Sequence, residues 1–105
     1  MSDDKDDLQI RDNAQHWRFE AHLDGQLAGF SQYRLGPGRI TFTHTKVDPD
    51  FEGQGIGSRL VRHALDEVRD RGLRVVPLCP FVSSYLRRHS QYADLVDEPP
   101  AAEMP

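Results

Sequence analysis

Apolar and polar residues alternate through 17–23, with Trp17, Phe19, Ala21 and Leu23 set against Arg18, Glu20 and His22. A period of two is what a strand with one buried face requires. Asp24-Gly25 then supplies a hairpin turn, and the run from Gln26 to Leu35 returns as the antiparallel partner. A short strand at Leu8 to Asp12 would extend this pair. Gly36-Pro37-Gly38 breaks the chain, and Arg39 to Val47 alternates again. That alternation places Ile40, Phe42, His44 and Lys46 on one face, and the threonines with Val47 on the other.

The period changes after residue 57. From Ser58 to Arg71 the apolar residues Leu60, Val61, Ala64, Leu65 and Val68 form one helical stripe, with Arg62, Asp66, Arg69 and Asp70 toward solvent. Gly72 ends that helix. Leu73 to Cys79 is an apolar run suited to a buried parallel strand, so strand, glycine-rich loop, helix and strand form one right-handed βαβ unit. Pro77 cannot donate to a ladder, which predicts weakened pairing and a gap near the end of this strand. The predicted fold class is therefore α/β with a mixed sheet: antiparallel strands first, then a parallel βαβ unit, then a C-terminal helix.

A length of 105 residues makes one domain, expected over residues 8–96. The acidic arm at 1–7 and the proline-rich tail at 97–105 are expected to be disordered. With 37% hydrophobic and 29% charged residues the composition is that of an ordinary globular domain. Net charge is −4 and the basic residues are interleaved with acidic ones, apart from a cluster toward the second helix. A nucleic-acid footprint is thus not supported, and an acidic partner is disfavoured. No run approaches the length of a membrane span, and Met-Ser-Asp-Asp-Lys-Asp-Asp is the opposite of a signal peptide, so a cytoplasmic protein is expected. A single cysteine forbids an internal disulfide. The histidines at 16, 22, 44, 63 and 89 show no ligand spacing, so no metal is implied.

The most informative segment is Val47-Asp-Pro-Asp-Phe-Glu-Gly-Gln-Gly-Ile-Gly-Ser-Arg-Leu60. Glycines at 53, 55 and 57 allow positive φ and close approach of a ligand, and leave N–H groups pointing outward ahead of a helix. Those donors and the helix dipole favour an anion. No Gly-Lys-Ser/Thr follows, so a Walker-type nucleotide site lacks its lysine and its magnesium hydroxyl. The dinucleotide pattern fails as well, because the third glycine position is Ser58 or Leu60.

What remains, Gly-Gln-Gly-Ile-Gly-Ser-x-Leu-Val, resembles the pyrophosphate loop of the GNAT superfamily of N-acetyltransferases. Pro-Leu-Cys-Pro-Phe-Val-Ser-Ser-Tyr-Leu-Arg-Arg-His at 77–89 and His-Thr-x-Val at 44–47 are similar to a minimal single-domain branch of it, the YjdJ-type acetyltransferase-like proteins. The resemblance runs from about Ile10 to Val96. It implies acetyl-coenzyme A as cosubstrate, held by Val47, Glu52, Gly53, Gln54, Gly55, Ile56, Gly57 and Ser58, with Tyr85 and Arg88 as further contacts. It also implies acetyl transfer to an amine, small or on a protein, by a monomer or weak homodimer. Glu52 departs from the Arg or Gln usual at its position, and Lys46 from the Glu often found in the minimal branch.

Cys79 precedes Pro80, and Pro is favoured at the first position of a helix, so the thiol is expected at a helix N-terminus with a lowered pKa. His44 is expected to reach the same cleft as general base. These two match the catalytic cysteine and histidine of the resembled branch. Each has an alternative: Cys79 as a small buried residue, His44 as a core histidine, Tyr85 as packing rather than a thiolate-leaving-group donor, and Arg88 on a solvated face. The sequence is also compatible with two other functions, a non-catalytic acyl-coenzyme A binding module and a domain kept only for protein interaction.

Overall fold

The computed structural model describes residues 8–97; the arm at 1–7, and the tail apart from Asp97, lie outside the described residues. Five strands pair in the order β1 (Leu8–Asn13), β2 (Arg18–Leu23), β3 (Gln26–Gly36), β4 (Arg39–Val47) and β5 (Arg74–Pro77). The first four are antiparallel neighbours, while β4 and β5 run parallel, joined by helix α1 (Ile56–Asp70). Helix α2 (Pro80–Arg88) follows β5, and a 3-10 segment, Ser90–Leu95, closes the fold. This mixed α/β architecture is the one expected.

The local chemistry explains the boundaries. Asp24 and Gly25 both take positive φ, 52° and 82°, as a tight hairpin between β2 and β3 needs. The helix begins two residues earlier than its apolar stripe suggests, with Gly55 as its left-handed N-cap. Its buried face is the predicted stripe, extended to Ile56. Trp17 does not join the β2 alternation. It sits in the left-handed region at φ 57°, ends a 3-10 turn over Ala14–His16, and is 51% exposed.

One half of the β4 pattern is corrected by a bulge. Gln32 pairs with His44 and Tyr33 with Phe42, so Thr43 is an extra residue without a β3 partner. An extra residue reverses the alternation beyond it. Ile40 and Phe42 face the helices, but from there the inward positions pass to Thr45 and Val47, and His44 and Lys46 turn to the opposite face. The proposed single face of Ile40, Phe42, His44 and Lys46 is therefore split in two.

Both helices and the 3-10 segment pack on the same face of the sheet. Phe19, Tyr33 and Phe42 form its aromatic centre, with ring centroids 5.5 to 6.4 Å apart, and Phe19 reaches His63 of α1 at 6.4 Å. Leu60, Leu65, Val75 and Val82 are fully buried around them. Each such side chain stabilises the fold by about 1.5–3 kcal/mol relative to exposure. Tyr92 docks the 3-10 segment through a 2.6 Å hydrogen bond to Asp66 of α1. Asp97 is held by β5, its N–H donating to the Val75 carbonyl at 2.7 Å.

Candidate active site

The gap predicted from Pro77 is present. Pairing between β4 and β5 ends at Phe42 and Pro77, and the Cys79 N–H donates to the Phe42 carbonyl at 2.9 Å. Beyond that point β4 continues through Thr43–Val47 with no β5 partner. A cleft of about 380 Å³ opens there on the helix side, lined by the end of β4, the glycine loop, the start of α1 and Phe81 of α2.

A short 3-10 turn over Pro49–Phe51 leads into the loop, capped by Asp48, whose Oδ1 accepts from the Asp50 N–H at 2.8 Å. Gly53 and Gly55 then adopt φ of 87° and 74°, conformations that a side chain would strain. Gly57 differs from the expectation. It lies inside the helix with no positive φ, and its missing side chain admits the Phe81 ring.

The first helical hydrogen bond runs from the Arg59 N–H to the Gly55 carbonyl at 3.1 Å. Among the described residues, the N–H groups of Gly53 through Ser58 donate to no protein acceptor. A row of orphan donors at the positive end of a helix favours a negatively charged group. Glu52 lines the cleft and is exposed, and among the described residues no basic side chain lines it. The donors that face the cleft from the loop are therefore backbone amides. The remaining lining is largely apolar, with Val47, Phe51, Ile56 and Phe81 around Thr45.

Cys79 is the N-cap of α2 and is 2% exposed. Its thiol donates to Thr45 Oγ1 at 3.3 Å, and that hydroxyl is 2.8 Å from Ser31 Oγ. The thiol thus lies under the cleft floor, joined to it through Thr45. His44 stands on the other face of the sheet, exposed, with its ring 6.0 Å from that of Phe30. The bulge at Thr43 separates these two residues, so they do not form a cysteine–histidine pair. Tyr85 is buried and its ring stacks on His89 at 3.8 Å; burial raises the pKa of its phenol above the ordinary value. Arg88 is exposed in the last turn of α2, at the opposite end of that helix from Cys79 and Phe81. Tyr85, Arg88 and Gln54 do not line the cleft, whereas Val47, Glu52, Gly53, Gly55, Ile56, Gly57 and Ser58 do.

Thr45, Phe51 and Phe81 were not among the sequence candidates. Thr45 became an inward residue only through the bulge, and Phe81 reaches the loop through helix packing; neither has a local signal. The motif Cys-Pro-Phe-Val contained Phe81 without disclosing its neighbour.

Similarity to known proteins agrees with this geometry. The family model for GCN5-related N-acetyltransferases matches residues 18–95. Streptothricin acetyltransferase of Streptomyces lavendulae is 45% identical over 51 residues, 47% of this chain and 27% of that protein. The ribosomal protein bS18-alanine N-acetyltransferase of Escherichia coli is 33% identical over 55 residues, 52% of this chain and 37% of that protein. The matches thus span well under half of those relatives' lengths. Among solved structures, a GCN5-like protein from Staphylococcus aureus superposes with a TM-score of 0.69 at 23% identity, covering 94% of this chain and 93% of that one, and shares the fold. A GNAT-family acetyltransferase from Brucella melitensis, in complex with acetyl-coenzyme A, gives a TM-score of 0.57 at 28% identity, covering 71% and 53%. The chain belongs to the GCN5-related N-acetyltransferase family.

Proposed function

We propose that this chain binds acetyl-coenzyme A in the cleft between β4, the glycine loop and α1, and transfers the acetyl group to an amine. The observation that carries the reading is the row of unpartnered amides from Gly53 to Ser58 beside an apolar cleft. The pyrophosphate accepts from those N–H groups, as anions do at helix N-termini. The pantetheine arm follows the apolar wall of Val47, Ile56 and Phe81 into the gap beyond Phe42 and Pro77. The Cys-Pro-Phe-Val motif favours the minimal YjdJ-type branch.

Direct transfer fits this geometry better than an acyl-enzyme. His44 is on the open face of the sheet, from which an acceptor would approach the gap, and takes the proton of the attacking amine, directly or through water. The amine nitrogen bonds to the thioester carbonyl carbon, the C–S bond breaks, and coenzyme A leaves as a thiolate that solvent protonates. Cys79, buried and engaged by Thr45, organises the cleft floor. Tyr85 and Arg88 serve packing and solvation rather than the coenzyme.

The experiment is an acetyl-transfer assay on wild type, His44→Ala and Cys79→Ser with a panel of amines, alongside coenzyme titration. Activity lost in His44→Ala and kept in Cys79→Ser, with coenzyme affinity unchanged in both, is the expected result. Coenzyme binding without transfer to any amine would make the chain an acyl-coenzyme A binding module instead.

A further inference from the structure

Along the chain cationic and anionic residues are interleaved, but a period of two sorts them once the strands pair. The registers place Arg11, Arg18, Arg34, Arg39, Lys46 and Arg74 on the sheet face opposite the helices. The strands contribute one carboxylate to that face, Glu20, because Asp12 points inward and accepts from the Tyr33 hydroxyl. A chain with 17 acidic and 13 basic residues therefore presents one predominantly basic plate. Net charge and charge order along the chain disfavour an acidic partner, but strand pairing gathers the cations on one face.

Part of this charge is neutralised locally. Arg18 Nε lies 2.7 Å from Glu20, and Arg39 and Arg74 share Asp97 at 3.4 and 3.9 Å. Burial acts to raise the Glu20 pKa, but hydrogen bonds from Arg18 and Asn13 outweigh it and hold the carboxyl below its ordinary value, so Arg18 keeps an ionised partner. Among the described residues Arg11, Arg34 and Lys46 have no ion-pair partner, and all three are exposed. Lys46, like His44, stands on β4 beyond its last β5 partner, and so borders the gap on the side away from the glycine loop.

We infer that this open face is the docking surface for the acceptor, and that the acceptor is an amine carried on an acidic polypeptide segment. The assignment of the amine rests on the acetyl-transfer reading above; the assignment of the acidic segment rests on charge alone. A bare polyamine is repelled by a face with three unpaired cations, whereas an amine flanked by carboxylates is steered to it. A long uniform polyanion such as nucleic acid meets the chain's net charge of −4 as well as this face, and is opposed beyond it.

Fluorescence anisotropy tests this without coenzyme. A short peptide alternating Glu and Ser, with a free N-terminal amine and a C-terminal dye, is compared with its Lys/Ser counterpart, a single-stranded oligonucleotide and phosphatidylserine vesicles. The Glu peptide should bind about tenfold more tightly than the Lys peptide at low salt and weaken steeply as salt is raised. The double charge reversal Arg34→Glu with Lys46→Glu, at exposed positions that pair with Thr41 and Phe30 rather than with a carboxylate, should lower that affinity about tenfold and leave acetyl-coenzyme A binding unchanged. Equal or tighter binding of the Lys peptide, the oligonucleotide or the vesicles overturns the inference, as does an undiminished affinity in the reversed variant. The two readings fail separately. Acetyl-coenzyme A binding with transfer to the Lys peptide alone sinks the acidic acceptor. Glu-peptide binding by a protein that ignores acetyl-coenzyme A sinks the coenzyme reading.

Discussion

The Phe81 ring occupies the space that a side chain on Gly57 would need: a Cβ built there would stand 2.7 Å from Phe81 Cζ and 3.2 Å from Cε2. This contact joins the first turn of α1 to the first turn of α2, and both residues line the cleft. Gly57→Ala gains about 0.5–1 kcal/mol of helix propensity but must displace a ring that is 37% exposed and free to swing outward. Thermal stability should therefore change by only a few degrees, while acetyl-coenzyme A affinity falls about tenfold. Adding Phe81→Ala should recover part of the loss caused by the clash, and calorimetry on the two single variants and the double measures that coupling.

Gly53 and Gly55 carry a different constraint. A Cβ at either meets nothing within 4 Å, so the cost of substitution lies in φ of 87° and 74°. Gly55→Ala should cost about 1–2 kcal/mol in urea unfolding, and Gly55→Asn less, since asparagine tolerates the left-handed region. Equal losses for the two would show that space rather than backbone strain matters there.

Cys79→Ser keeps a donor for Thr45 but places a more polar group in a buried site, and should lower stability by about 1–2 kcal/mol. Acetyl transfer per folded molecule should stay within about twofold of wild type. A loss of two or more orders of magnitude, with coenzyme affinity intact, would instead establish an acyl-enzyme on this thiol.

Alkaline pH probes the seat of the 3-10 segment on α1. Burial first, and then the hydrogen bond to Asp66, push the Tyr92 phenol up from 10.0 to about 12. A raised folded pKa means that the folded protein holds the proton longer than the unfolded chain. The associated stability is present below pH 10 and is lost as pH rises toward 12. Tyr33, buried against Asp12, is shifted in the same direction. Tyr92→Phe should flatten the fall in unfolding free energy over this window, as read by urea titrations at successive pH values. An unchanged slope would contradict the assignment.

Much of the fold was legible because the chain states it locally. The Asp24-Gly25 turn, the stripe from Leu60 to Val68 and the ladder-ending Pro77 each act through immediate neighbours. The unpartnered amides of the glycine loop were legible for the same reason, since they belong to the loop itself. What escaped was set by contacts distant in sequence. The bulge at Thr43 appears only when β4 pairs with β3, yet it decides that Thr45 rather than His44 faces the cleft. Gly57 resembles a loop glycine in sequence, but it lies within α1 and packs against Phe81, 24 positions further on. The 3-10 segment that seats Tyr92 and Leu95 has no periodic pattern to announce it.

Isothermal calorimetry of the wild-type protein with acetyl-coenzyme A, with ATP and NAD as phosphate-bearing controls, tests the central claim most directly. The account predicts saturable one-to-one binding of acetyl-coenzyme A, abolished or strongly weakened by bulky substitution in the Gly53–Ser58 loop, and little heat with either control. An absence of binding in a protein shown to be folded, or equal binding of all three ligands, would contradict it.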